Sequence, residues 1–202
     1  MRRSREEALE TRRAILREAL DCFATRGYAL TTFQDIAERI HLTKGAVFWH
    51  FKTKEDLLAE LLLQMQESFK PLPHVDEAES LEDIRAAFLA WASVLTRNAT
   101  QRKFMKFVLS RVEWSDALKR TLARKVDAVT QDNPYARLER GLARVRAAGG
   151  LVSPLDDTQV AGLLCSVFFG IFREAWLHKT AVPVLPTLEA GLDFILQGIR
   201  RQ

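Results

Sequence analysis

Thr43, Lys44, Gly45 and Ala46 open a short helical segment with a hydroxyl, an ammonium and two almost absent side chains. The positive end of the helix dipole disfavours a cation in the first turn by about 0.3–1 kcal/mol, so Lys44 is badly placed for stability alone. An anion such as phosphate reverses that penalty. Gly45 and Ala46 let the backbone approach a broad surface closely. Phe48, Trp49 and His50 follow, and Lys52 and Lys54 add two more cations. The chemistry on offer is anion binding against an extended partner.

The elements that must hold these residues are short. Thr31 or Thr32 can cap a helix, with Gln34 or Asp35 at capping-box spacing. Phe33, Ile36, Ala37 and Ile40 then form one apolar stripe about two turns long. His41 and Leu42 break the run, Thr43 caps again, and Val47 and Phe51 face inward over Lys44 to Phe51. Thr53 caps a third helix whose first turn holds Glu55 and Asp56, where the dipole favours carboxylates. Isolated helices shorter than roughly 12 residues are marginal in water, so both short ones need neighbours to pack on. Two short helices joined by a tight turn make a helix-turn-helix, whose second helix reads nucleic acid.

Charge agrees. Through residue 54 there are 11 basic and seven acidic residues, an excess of four that equals the whole chain's +4. The remaining 148 residues carry 19 of each sign. All the excess therefore lies beside the candidate reading helix, as contact with a phosphate backbone requires. Nothing indicates an enzyme: the sequence holds no nucleophile elbow, no phosphate-cradling glycine loop and no metal-ligand pair, and His41, His50, His74 and His178 have no acidic or thiol partner at a recognisable spacing. No cofactor or metal is expected. Cys22 and Cys165 sit singly in apolar helical runs, which reads as a reduced, cytoplasmic protein. The N-terminus is charged rather than signal-like, and the longest apolar stretch, Val160 to Phe172, falls short of the roughly 18 residues of a membrane span, so no membrane association is expected.

The spacing Thr32, Ile36, Ala37, then Thr43, Lys44, Gly45, Val47, His50, Phe51, then Lys54 and Leu57 resembles the N-terminal domain of TetR-family transcriptional repressors. The preceding helix Thr11 to Phe23, ending in Arg26-Gly27-Tyr28, fits the same pattern. The Trp49-His50-Phe51 triplet and the opening run Arg5 to Arg12 are similar to the AcrR-like branch, whose members commonly repress multidrug efflux pumps. The resemblance covers about the first 60 residues. It implies a homodimer that sets Thr43, Lys44, Gly45 and Ala46 into the major groove of a palindromic double-stranded operator, with Thr32, Trp49, His50 and Lys54 gripping phosphates. It also implies release by a small hydrophobic inducer. This chain departs from the family twice: His41 stands where a turn glycine is usual, and Phe48 where a tyrosine hydroxyl would meet a phosphate. His tolerates a left-handed conformation better than most residues, so the turn is expected to persist.

The expected fold is all-α, with a helix-turn-helix DNA-binding domain over 1–54 and a helical ligand-binding and dimerisation domain over 55–202. Helices are predicted over 53–70, 80–97, 100–114, 116–130, 135–148, 156–179 and 187–200, with breaks at the prolines and at Gly149-Gly150. Gly162, Ser166 and Gly170 recur every fourth residue beside Leu163 and Val167, a face that lets a second helix approach closely; with Leu192 and Ile195 of the last helix it is a candidate dimer interface. The same spacing could instead serve a helix of the same chain. Phe88, Trp91, Phe104, Met105, Val108, Phe168, Phe172 and Trp176 are the candidate ligand-binding residues, since aromatic rings and Met suit a flat, hydrophobic guest. Rings that only fill a core would look the same, which leaves open a DNA-binding regulator without a small-molecule inducer.

Overall fold

The computed structural model describes residues 5–69, 72–127, 134–177 and 182–199. Among these residues ten α-helices run in order: α1 Arg5–Arg26, α2 Phe33–Arg39, α3 Lys44–His50, α4 Lys54–Phe69, α5 Leu81–Arg97, α6 Ala99–Ser110, α7 Asp116–Asp127, α8 Pro134–Ala147, α9 Asp157–Leu177 and α10 Val184–Ile199. A 3-10 turn, Val75–Glu77, precedes α5. The all-α expectation is met.

Packing divides the chain into two compact units, one from Met1–Ser68 and Thr100–Gln131, the other from Phe69–Ala99 and Asp132–Gln202. The first unit is therefore larger than the 1–54 head read from the sequence. Its core runs along α1 through Ile15, Leu16, Ala19, Leu20 and Phe23, all buried. Helix α2 packs on α1 and α3 packs on α2, and Phe33 and Ile36 of α2, Val47 of α3, and Leu57, Leu58 and Leu61 of α4 are buried in the same unit. Phe107 of α6 stacks on Phe23 at 5.5 Å between ring centroids, and the Tyr28 amide donates to the Arg111 carbonyl at 3.2 Å. Each fully buried Leu or Phe contributes about 1.5–3 kcal/mol, whereas exposed pairs such as Lys103–Asp21 contribute about 0–1 kcal/mol, so apolar contact accounts for α6 joining the head.

In the second unit α8 lies on the 3-10 turn at Gly141, where a β-carbon would stand 1.9 Å from the Val75 carbonyl oxygen. Only glycine permits that contact. Trp91 of α5 stacks on Phe168 of α9 at 4.3 Å and 11°. Helices α9 and α10 approach at Gly191, whose added β-carbon would meet Val167 at 3.0 Å. Arg85 of α5 binds Glu189 at 2.5 Å and Asp193 at 2.7 Å on α10, and Arg146 of α8 joins Asp157 and the Leu155 carbonyl, both at 2.8 Å.

Element boundaries differ from the sequence reading in two informative places. Helix α6 stops at Ser110 instead of continuing to Trp114; residues 111–115 are non-helical, and the Trp114 indole donates to the Val108 carbonyl at 3.1 Å. Helix α10 begins at Val184, three residues before the predicted start, because Pro186 falls in its first turn, where a missing amide donor costs nothing. The predicted ends at 70, 130, 179 and 200 lie outside the described residues. Helix α9 extends beyond the apolar stretch Val160 to Phe172 to 21 residues, with mean hydropathy 1.6 over its most apolar window; by length and composition alone it could cross a membrane, a test that the core helix of a soluble protein also passes.

Candidate nucleic-acid interface

The reading head is assembled by three successive threonine caps. Thr32 accepts from the Asp35 amide at 3.2 Å, while its own amide and hydroxyl donate to the Asp35 carboxylate at 2.8 and 2.7 Å. This capping box holds the Asp35 carboxyl below its ordinary range, the Thr32 hydroxyl first, then the backbone amide, then Arg26. The turn after α2 places His41 at φ 54°, the left-handed conformation expected of a residue in the family's glycine position. Thr43 then accepts from the Ala46 amide at 3.1 Å and starts α3. Thr53 and Asp56 repeat the box at the start of α4, with amide-to-oxygen distances of 3.1 and 2.9 Å.

Helix α3 has an inner and an outer side. Val47 and Phe51 are fully buried anchors, whereas Thr43, Lys44 and Gly45 are exposed, with Phe48 at 49% and Trp49 at 67% exposure. The Trp49 and His50 rings meet edge-on at 4.6 Å. Two large exposed aromatics on one short helix, beside a lysine that makes no ion pair among the described residues, form a surface suited to a partner. Arg12 of α1 fixes the far end of this helix. Its guanidinium lies 4.1 Å over the Phe51 ring, donates to the His50 carbonyl at 2.7 Å and to Glu60 of α4 at 2.8 Å. Sequence reasoning gives Arg12 no role, because its partners are 38 and 48 residues away and no local spacing announces them.

Two residues assigned from the sequence to phosphates also make bonds within the head. Both donors of Thr32 serve the capping box. Lys54 donates to the Tyr28 and Ala29 carbonyls at 2.9 and 3.0 Å and lies 4.7 Å over the Tyr28 ring. Burial lowers the pKa of its ammonium, partly offset by Glu55. Lys54 thus ties the start of α4 to the turn after α1. Arg26 pairs with Asp35, Arg39 with Glu18, and Lys52 folds back onto the Phe48 carbonyl and ring. Of the excess positive charge within the described head, Arg5, Arg13, Arg17 and Lys44 make no ion pair and are exposed.

In the second unit Phe88, Trp91, Phe168, Phe172 and Trp176 form one continuous aromatic stack, with Phe168 to Phe172 at 4.9 Å and Phe172 to Trp176 at 4.7 Å. Five of the eight candidate ligand residues are thus brought together, while Phe104, Met105 and Val108 belong to α6 in the first unit. Of the candidate dimer residues, Gly162 and Gly170 face open space, Ser166 is exposed and Leu163 is 45% exposed, so these four do not accommodate a helix of the same chain. Leu192 is a correction: it is fully buried within its own protomer. Val167 meets Gly191, and Ile195 is half-buried. Phe194, 78% exposed on α10, is not among the sequence candidates, although it is the apolar residue out of register with the buried Leu188, Leu192 and Leu196.

Residues 15–61 match the model for bacterial regulatory proteins of the tetR family. Over 204 residues the chain is 30% identical to the HTH-type transcriptional regulator TtgR of Pseudomonas putida, covering 99% of this chain and 96% of the relative. Over 60 residues it is 43% identical to the HTH-type transcriptional regulator AcrR of Shigella flexneri, covering 30% of this chain and 28% of that one. Among solved structures it resembles SmeT, the repressor of the Stenotrophomonas maltophilia multidrug efflux pump SmeDEF, with TM-score 0.75, 26% identity, and coverage of 95% and 91%. SmeT in its triclosan complex superposes with TM-score 0.78 at 27% identity, covering 96% and 93%.

Proposed function

The chain belongs to the tetR family of bacterial regulatory proteins, and we propose that it is a dimeric repressor that binds a palindromic operator and is released by a small hydrophobic molecule. The outward side of α3 carries this reading: Thr43, Lys44, Gly45 and Ala46 enter the major groove, where side chains can reach base edges. Trp49, His50 and the exposed Arg5, Arg13 and Arg17 supply backbone contacts, which set register without reading sequence. Thr32 and Lys54 act one step back, by holding α2 and α4 in place. Arg12, through His50 and Glu60, keeps α3 at a fixed angle to α4.

The open face of α9 and α10 pairs with its copy across a two-fold axis and so presents two reading helices to successive major grooves. Efflux-pump control is inferred from what SmeT represses, and an apolar inducer from the triclosan bound to that relative. A DNase footprint on the DNA flanking the protein's own gene should show two symmetric protected half-sites centred about one helical turn, or a multiple of it, apart. Protection should fade on adding triclosan or a panel of hydrophobic dyes. A single unpaired footprint or none contradicts the dimeric operator reading. A footprint indifferent to every compound favours the second reading, a regulator without an inducer, which the complete burial of Phe88, Phe168 and Phe172 against one another supports.

A further inference from the structure

We propose that a groove in the first unit, walled by Tyr28, Thr53, Glu55, Glu113, Trp114 and Lys125, is a binding site for a small organic cation with an aromatic body. The groove has a volume of about 700 Å³, inside the range of roughly 300–1,000 Å³ typical of small-molecule sites. Four segments build it: the turn after α1, the start of α4, the non-helical residues 111–115, and α7. It shares no residue with the aromatic stack of the second unit.

Its charge specifies the guest. Two carboxylates, Glu55 and Glu113, line the groove and make no ion pair among the described residues; Glu55 interacts with the Lys54 ammonium only at longer range. The cations nearby are engaged: Lys125 is paired with Asp56, and Lys54 donates to two carbonyls. Burial pushes the Asp56 carboxyl up, but its bonds with Lys125 and Thr53 together hold it below its usual range, so the pair is charged. Trp114 is part-exposed on the groove wall, and its indole N–H bond to the Val108 carbonyl fixes the ring. A fixed indole face beside carboxylates that make no ion pair is an arrangement that binds cations through the ring quadrupole as well as through charge.

Tyr28 adds a second feature that a guest would use. At 7% exposure its hydroxyl makes no hydrogen bond of normal geometry, although it lines the groove. Burial, and after it the Glu55 carboxylate, push the phenol well above its ordinary range, so it stays a neutral donor at every physiological pH. A bound molecule carrying an acceptor would give this donor a partner of normal geometry. Leu118 and Ala29 supply apolar floor beside these polar groups.

Isothermal titration of the protein with the cation (4-acetylphenyl)trimethylammonium, and with neutral 4-tert-butylacetophenone as the isosteric control that carries the same carbonyl acceptor, tests the site without DNA. The cation should bind at least about tenfold more tightly than the neutral probe, since close opposite charge and ring contact together are worth more than 1.4 kcal/mol. Glu55→Gln and Glu113→Gln should each weaken cation binding by about tenfold and leave the neutral probe unchanged. Trp114→Ala removes the indole bond to Val108 as well as the ring, so Trp114→Phe is the cleaner variant and should keep most of the affinity. No binding by the wild-type protein, equal affinity for the two probes, or an unchanged affinity in both Glu→Gln variants would each overturn the assignment.

Discussion

Phe48 concentrates what single residues contribute to this head. It is half exposed on the outward side of α3 and carries no group that can donate to a phosphate. Phe48→Tyr should therefore raise operator affinity by about 2- to 12-fold, the equivalent of one hydrogen bond worth roughly 0.5–1.5 kcal/mol. Because a phenol adds no charge, the salt dependence of binding should not change; fluorescence anisotropy over a salt series measures both. Thr32 is a different case, since its donors are spent on Asp35. Thr32→Ala should lower stability at neutral pH by about 1 kcal/mol. The Asp35 carboxyl has a lowered pKa in the fold, so its contribution is present above the unfolded value near pH 4 and is lost as pH falls through the lower folded value. Melting curves from pH 7 to pH 3 should accordingly fall less steeply below pH 4 in Thr32→Ala than in the wild-type protein. Caps and the left-handed His41 were legible in the sequence because each depends on neighbours within four residues. The commitments of Arg12 and Lys54 were not, because their partners lie 25 or more residues away.

At the scale of elements, helix existence and inward faces followed from apolar spacing, while helix ends and contacts did not. Nothing local marks Ser110 as the end of α6, and the apolar run through Val112 argues for continuation; the turn at 111–115 is stabilised instead by Trp114 folding back on Val108. Small residues gave a similar half-answer. The Gly162, Ser166 and Gly170 spacing marked a face left open to close approach, yet the close contact inside the protomer is made by Gly191 and Gly141. A glycine in a helix interior costs about 1 kcal/mol relative to alanine, so its presence at 141 needs a packing reason, and the Val75 carbonyl supplies it. Gly141→Ala should destabilise by at least about 1–3 kcal/mol through overpacking, a fall in Tm of roughly 2–12 °C for a chain of this length. A calorimetric scan showing no loss would mean that α8 can retreat from the 3-10 turn without cost.

At the scale of the whole molecule, the sequence divided the chain after residue 54 on functional grounds, while packing groups α6 and α7 with the head. That grouping rests on Phe23 meeting Phe107 and on Lys125 meeting Asp56, contacts that no periodicity encodes. On the dimeric reading, helix α9 is apolar around most of its circumference because it must serve two surfaces, the core of its protomer and the copy across the dimer axis. Leu163 on α9 and Phe194 on α10 stand out from that second surface. Phe194→Asp should yield a folded monomer in sedimentation equilibrium, and its operator affinity should drop by about 100-fold or more, as joined half-site binding is lost. The central claim is that α3 reads an operator through its exposed first turn. Anisotropy titration of the footprinted operator with Lys44→Ala, checked as a dimer by sedimentation, tests it most directly. An affinity at least about tenfold weaker than wild type, with the dimer and its melting curve intact, is the predicted result; unchanged affinity in an intact dimer would contradict it.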